Sequence, residues 1–195
     1  MKEKELKSLI PKTSWDKIEN YLNTMAKARN ILQVNYYYDT ECLKLHTKGN
    51  TLRIRQVDST LKLQYKYNKQ QNNKIIISEE YECQVGNIPI CIESPTWLGD
   101  IYNSNVYESN LLFNYVGTLV TDRFNYQIGD AIISLDKNYY WGQVDYELEI
   151  EALSETSITN VYKLLNITNL SSICMSKYSR FATKLKHIRS INENF

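Results

Sequence analysis

The segment VDYELEIE at 144–151 alternates acidic and apolar residues without a break. Side chains of a β-strand point alternately to its two faces, so all the acids share one face: Asp145, Glu147, Glu149 and Glu151. Carboxylates spaced two residues apart on one strand repel one another unless a cation lies among them. The segment therefore predicts a strand with one apolar face and one face that requires positive charge.

Seven other segments show the same two-residue period, and the full set of predicted strands is 2–8, 30–39, 50–57, 60–67, 75–84, 117–127, 130–137 and 142–152. Eight strands is the number at which a sheet can close around side chains or one small ligand. Helices are predicted from Thr13 to Ala26, from Thr40 to Thr47, from Ser154 and over 176–188, and short helices within 86–117. The predicted fold is α+β: an eight-stranded antiparallel closed β-barrel, or tunnel, with a polar, charged lumen and helices packed outside.

Charge is sorted by strand although the total is nearly neutral. Lys and Arg number 23 against 22 Asp and Glu, a net charge of +1, which excludes the large basic field of a binder of long nucleic acids. Acids concentrate on 2–8 and 142–152, and bases on 50–57, 60–67 and 117–127. A solvated sheet face is the ordinary explanation for any one strand, but such faces mix both signs. The sorting favours a binding site.

The two sets of side chains suit two ligands. Clustered carboxylates are typical ligands of a hard divalent cation such as Mg²⁺. Arginine matches phosphate oxygens with its planar fork, and lysine adds a point charge. Together they predict a pocket for a polyphosphate compound and its metal.

Other features of the sequence indicate in which cellular compartment the protein works. No apolar run approaches the ~20 residues that span a bilayer, and no secretory signal is visible at the N-terminus. The four cysteines are scattered, which disfavours a zinc site or a disulfide framework. We therefore expect a cytoplasmic protein with reduced thiols and no membrane partner.

Several charged motifs occur in one order along nearly the whole chain. They are Glu3-Lys4-Glu5-Leu6-Lys7, Leu52-Arg53-Ile54-Arg55, Leu63-Gln64-Tyr65-Lys66, Thr121-Asp122-Arg123, Leu135-Asp136, the segment 145–151 and Lys177-Tyr178-Ser179-Arg180-Phe181. In this combination the chain resembles the CYTH domain family, the triphosphate tunnel metalloenzymes, which include class IV adenylyl cyclases and thiamine triphosphatases. It looks most like the Firmicute branch commonly assigned as adenylate cyclases.

The resemblance implies one domain over 1–195 that hydrolyses a small triphosphate with Mg²⁺ or Mn²⁺, as a monomer or homodimer. The implied metal ligands are Glu3, Glu5, Glu82, Asp136, Glu147 and Glu149. The implied phosphate-binding and catalytic residues are Lys7, Arg53, Arg55, Lys66, Arg123 and Lys177, with Lys62 and Arg180 as further substrate contacts. Lys177 and Arg180 also have an ordinary interpretation, because with Lys184 and His187 they form one basic helix face of the kind that solvent usually covers.

Three functions remain open. The first is a triphosphatase acting on tripolyphosphate, thiamine triphosphate or a nucleoside triphosphate. The second is a cyclase that makes cyclic AMP from ATP in the same pocket, with the tyrosines at 36–38, 139 and 140 either stacking on the base or packing in the core. The third is a module that binds polyphosphate without turnover, although an anion binder gains nothing from a carboxylate cluster.

Overall fold

Nine strands and four helices form in the part of the chain that the structure, a computed structural model, describes: residues 2–72, 75–93, 111–166 and 175–192. The strands are β1 (Lys2–Leu9), β2 (Arg29–Asp39), β3 (Thr51–Val57), β4 (Thr60–Asn72), β5 (Ile75–Val85), β6 (Cys91–Glu93), β7 (Leu112–Ile128), β8 (Ala131–Tyr140) and β9 (Gln143–Glu151). The helices are α1 (Lys12–Asn23), α2 (Lys44–Thr47), α3 (Glu155–Leu164) and α4 (Lys177–Asn192).

Eight of the strands pair in a ring. The order is β2-β3-β4-β5-β1-β9-β8-β7, and β7 pairs in turn with β2 through eleven residue pairs. All the pairings are antiparallel. The ring is only approximately a closed barrel, because β1 contributes five pairs to each neighbour and the registers shift at bulges in β7 and β4. Strand β6 pairs with β7 beyond the ring.

The eight predicted strands are confirmed, with differences at the ends. Strand β7 begins at Leu112 rather than 117, because the chain continues in extended form through Gly117. Strand β4 extends to Asn72, whereas the apolar pattern predicted its end at residue 67. Of the segment 86–117, in which short helices were predicted, the described part holds β6 and the start of β7, and 94–110 lies outside the described residues.

The predicted helices form with shifted limits. Helix α1 follows Pro11, whose φ of −61° is already fixed by its ring, so Thr13 lies within the first turn instead of capping it. It ends at Asn23, before Ala26. Helix α3 begins as predicted after Ser154, whose hydroxyl accepts from the Ser157 N–H at 3.0 Å. Within the described ranges, no helix is both long and apolar enough to cross a membrane.

Two apolar cores lie on the outer surface of the ring. One packs α1 and α3 against β1, β7, β8 and β9, through Trp15, Leu22, Ile133, Leu148 and Ile158 among others. The second joins β2, β3 and β4 to α2 and the start of β7. Burying both sets of apolar side chains outside the ring leaves the opposite strand faces to line its interior.

Helix α4 packs against the inner strand faces at one end of the barrel. Its Phe181 is fully buried among Tyr37 of β2, Leu119 of β7 and Tyr140 of β8. Gly117 makes this approach possible, because a Cβ there would lie 2.7 Å from the Phe181 ring, and its φ of +137° also favours glycine. One end of the interior is therefore filled by apolar side chains and α4, and the polar interior residues lie beyond this filling.

Candidate metal and phosphate site

Three carboxylates converge in the interior where β8 and β9 pair; we call them the acidic group. Asp136 is opposite Glu147 in the strand register, and Glu149 is opposite Ser134. One oxygen from each acid lies within 4.8 Å of the others, and both Asp136 and Glu147 are fully buried. Clustered carboxylate oxygens are the donors that Mg²⁺ and Mn²⁺ prefer. The donor set therefore fits a hard divalent cation.

Cations surround the acidic group closely. The Lys177 ammonium lies 2.8 Å from Asp136, 2.6 Å from Glu147 and 2.6 Å from Glu149. Arg123 donates to both oxygens of Asp136, at 2.8 and 2.7 Å, and also to Glu149. Arg180 donates to Glu147 and, at 2.9 Å, to Asp145. Each buried carboxylate is thus held by at least two charged donors.

A second pairing connects β1 to this network. The Glu5 carboxylate lies 3.1 Å from both the Lys7 and the Lys66 ammonium, and Lys7 is 3.6 Å from Glu149. The strand register explains the connection, because Lys7 is opposite Glu149 where β1 pairs with β9. The interior faces of β1, β4 and β9 therefore belong to one continuous set of ion pairs.

The environment sets the protonation of these acids. Burial would raise the pKa of Glu5, but Lys7 and Lys66 outweigh it and lower that pKa to about 2. Burial likewise opposes the ionisation of Glu149, yet Arg123 and Lys177 hold its pKa well below the ordinary value. For Glu147, burial dominates and raises the pKa despite Lys177 and Arg180. Glu5 and Glu149 are therefore anionic at neutral pH.

The opposite part of the interior, which we call the arginine side, consists of Arg53 and Arg55 on β3 with their neighbours. Arg53 donates to Gln64 at 2.9 Å and lies 3.5 Å from Glu80. Arg55 donates at 3.0 Å to the Asn35 side-chain oxygen, and among the described residues no carboxylate lies within ion-pair distance of it. Burial and the positive charges of Arg53 and Arg123 lower the pKa of Arg55 to about 9. Within the described part of the chain, this partly buried guanidinium therefore has an amide partner but no ion-pair partner.

Most of the sequence-predicted residues that the structure describes come together, and two of them, Glu82 and Lys62, lie apart. Glu82 and Lys62 pair with each other at 2.6 Å, with side chains 44% and 46% exposed, away from the acidic group. Gln64 donates to Glu82 at 2.9 Å and so joins this pair to Arg53. The Glu3 side chain lies outside the described residues, although its backbone pairs with Ser78. The metal-ligand predictions for Glu3 and Glu82 stay predictions.

Helix α4 brings two of the predicted cations inside. Lys177 and Arg180 are each only 7% exposed, whereas His187 further along the helix is exposed. Tyr178 explains the placement of the helix, because its hydroxyl donates at 2.5 Å to Asp39, a fully buried carboxylate. Asp39 also accepts the backbone N–H groups of Leu45 and His46, at 2.9 and 3.0 Å. The ordinary interpretation of a solvated basic face therefore does not hold for Lys177 and Arg180.

One of the tyrosines at 36–38 packs inside the barrel. Tyr37 is fully buried in an apolar core beside Tyr178 and Phe181, and its hydroxyl has no hydrogen-bond partner among the described residues. The core packing expected for these tyrosines is therefore found at Tyr37. The two-residue strand period distinguishes it from its neighbours, because Tyr37 shares its face with Asn35.

Comparison with known proteins gives a family and several structural neighbours. The model of the CYTH domain family matches residues 1–182. HpAC1 from Hippeastrum, an adenylyl cyclase candidate described as having a dominant triphosphatase activity, superposes with a TM-score of 0.71 at 20% identity, covering 93% of this chain and 96% of its own. A Bacillus halodurans protein described as an adenylate cyclase candidate gives 0.68 at 21%, covering 91% and 95%.

A viral enzyme is also similar. The Mimivirus capping enzyme triphosphatase gives a TM-score of 0.52 at 13% identity, covering 85% of this chain and 90% of its own. No curated protein matches the chain significantly. At these identities the likenesses establish the tunnel fold alone.

Proposed function

The chain belongs to the CYTH domain family, and on that premise we propose that it hydrolyses a small triphosphate compound with the help of a divalent cation. Two structural neighbours described as triphosphatases, from Hippeastrum and Mimivirus, support this class of reaction. The substrates considered are inorganic tripolyphosphate, thiamine triphosphate and nucleoside triphosphates.

One observation carries the proposal: the barrel interior holds three convergent carboxylates and, on its other side, Arg55, whose side chain hydrogen-bonds to an amide oxygen and forms no ion pair with a carboxylate among the described residues. A partly buried charge without an ion-pair partner is costly, so a site of this kind suits an anion. A triphosphate supplies several negative charges and a planar set of oxygens for the guanidinium groups. A plain phosphate-binding module would have no use for the acidic group.

The interior residues have different roles in the proposed reaction. Asp136, Glu147 and Glu149 would hold Mg²⁺ or Mn²⁺, which when bound withdraws charge from phosphate oxygens and favours in-line attack by water. Arg53, Arg55 and Lys66 bind the non-bridging oxygens, and they stabilise the charge that develops as the phosphoanhydride bond breaks. Arg123 holds the Asp136 and Glu149 carboxylates in place. Lys7 keeps Glu5 and Glu149 ionised.

A cyclase is the second candidate, because two of the structural neighbours are described as candidate adenylate cyclases. In that reaction the ribose 3′ hydroxyl takes the place of water and pyrophosphate leaves. The same acidic group and arginines would serve both reactions. The two reactions are therefore distinguished by their products and not by these residues.

The deciding experiment is a phosphate-release panel with Mg²⁺ and with Mn²⁺, using tripolyphosphate, thiamine triphosphate and ATP, with cyclic AMP assayed in parallel. We expect metal-dependent phosphate release from at least one triphosphate. Formation of cyclic AMP and pyrophosphate would instead show that the protein is a cyclase. Tight binding of every compound without turnover would overturn both.

Glu5→Gln and Glu147→Gln test the metal assignment. Each is expected to abolish metal-dependent phosphate release, because Glu147 is a proposed ligand of the metal and Glu5 is joined to these ligands through Lys7. Asp16→Asn is the control, since Asp16 pairs with Lys12 on the exposed surface. Circular dichroism verifies the fold, and undiminished turnover in both interior variants would exclude the assignment.

For location and assembly we propose a cytoplasmic protein that binds small triphosphates and no long nucleic acid. The near-zero net charge supports the second point. Three cysteines, at 42, 83 and 91, are free thiols in the structure, as a reducing compartment would keep them. We expect a monomer or a homodimer.

A further inference from the structure

Lys177 lies at the centre of the acidic group. Its ammonium is within 2.8 Å of Asp136 and 2.6 Å of both Glu147 and Glu149. The ammonium donates hydrogen bonds to Glu147 and Glu149 and forms an ion pair with Asp136. These are the same three carboxylates whose oxygens converge within 4.8 Å. The side chain therefore occupies the oxygens that a divalent cation needs.

The charges around the acidic group are already paired. The connected ion-pair network of the described residues holds five carboxylates and five cations: Glu5, Asp136, Asp145, Glu147 and Glu149 with Lys7, Lys66, Arg123, Lys177 and Arg180. Adding a dication to a buried network whose charges already balance leaves an excess of positive charge, which is unfavourable because charges in a buried site are poorly screened. A metal ion must therefore displace a cation, arrive with an anion, or do both.

Lys177 is the cation best able to leave. Arg123 is fixed by two parallel hydrogen bonds to Asp136, and Arg180 also donates to the Met175 carbonyl oxygen at 2.6 Å. The backbone of α4 is anchored by the Tyr178–Asp39 hydrogen bond and by the buried Phe181. The lysine side chain is a flexible four-carbon stem, so its ammonium can move several ångströms while the helix stays docked.

We propose that the Lys177 ammonium and the divalent cation compete for the carboxylates of Asp136, Glu147 and Glu149, and that a metal–triphosphate complex transfers Lys177 from the carboxylates to a phosphate oxygen. This inference rests on the proposed function. It predicts that free metal binds weakly to the protein alone, because it must expel Lys177 without offering the ammonium a new anion.

The test measures Mn²⁺ affinity without any phosphate compound, by electron paramagnetic resonance of free Mn²⁺. Lys177→Met is expected to bind Mn²⁺ about 10-fold tighter than wild type or more, because it removes a competing charge from the acidic group. Lys177→Arg keeps the charge and is expected to stay near the wild-type affinity. Lys12→Met is the matched control, since Lys12 pairs with Asp16 on the exposed surface.

Circular dichroism first verifies that each variant is folded, and Lys177→Gln replaces the methionine variant if that one is not. Equal or weaker Mn²⁺ binding by the uncharged variant, with measurable binding by wild type, would overturn the competition and leave the proposed function standing. If neither protein binds Mn²⁺, and phosphate release is also independent of metal, the proposed function itself fails and the competition fails with it.

Discussion

The two sides of the barrel interior differ in how their charged side chains are neutralised. In the acidic group, each carboxylate has at least two cationic donors within hydrogen-bond distance, and the ion pairs close on themselves. On the arginine side, Arg55 hydrogen-bonds to the Asn35 oxygen and forms no ion pair with any carboxylate that the structure describes, and burial and neighbouring arginines lower its pKa to about 9. The acidic group is thus balanced within the protein, whereas the arginine side is incomplete until an anion binds.

The largest expected effect comes from breaking the balanced side. Arg123→Met leaves fully buried Asp136 with Lys177 as its remaining cation among the described residues, and removing one partner of a buried pair costs about 3–5 kcal/mol. We expect the free energy of unfolding in urea to fall by about that amount, with loss of activity. If the variant is as stable as wild type, the buried Asp136 carboxylate does not depend on Arg123 for its neutralisation.

The arginine side should respond differently. Arg55→Met removes a partly buried cation that forms no ion pair among the described residues, so thermal stability without substrate should be equal to or above that of wild type. Phosphate release should fall by ~10²–10³, as for other electrostatic donors in active sites. Calorimetry and the kinetic assay together make the test, and a large drop in stability would mean that Arg55 is already neutralised in the protein.

A smaller effect concerns the anchor of α4. Tyr178→Phe deprives the buried Asp39 carboxylate of a hydroxyl donor, and leaving such a group undersatisfied costs about 1–3 kcal/mol. We expect lower stability and reduced turnover, because α4 carries Lys177 and Arg180 into the interior. Tyr38→Phe is the control, since the Tyr38 hydroxyl donates to the Pro89 carbonyl oxygen on the outer surface. Equal behaviour of the two variants would contradict the anchoring role.

The smallest effect is expected at Glu82, a residue that the sequence groups with the metal ligands. Its partner Lys62 is half-exposed, and exposed ion pairs contribute about 0–1 kcal/mol. Glu82→Gln should therefore change stability little and keep phosphate release within about twofold of wild type. A loss as large as that of Glu147→Gln would place Glu82 with the acidic group in function despite its position.

The sequence was sufficient for the strands and their faces because the two-residue period is local. It correctly put Glu147, Glu149 and Asp136 on inward faces, and the order of the motifs identified the family that the CYTH model confirms. It also found α3 through Ser154, since a helix cap is a contact between residues three apart. What it could not give was the order of the strands around the ring or the place of α4.

Those features depend on contacts between distant residues. Tyr178 reaches Asp39 across 139 positions and Lys66 reaches Glu5 across 61, so no local pattern reports either pairing. The basic face of α4 has the composition of a solvated helix, and only its docking on Tyr37 and Gly117 turns Lys177 inward. The sequence by itself determined which charges the strands direct inward. The tertiary structure alone decided which of those charges meet, because strand closure and helix docking fix distances that alternation along one strand leaves free.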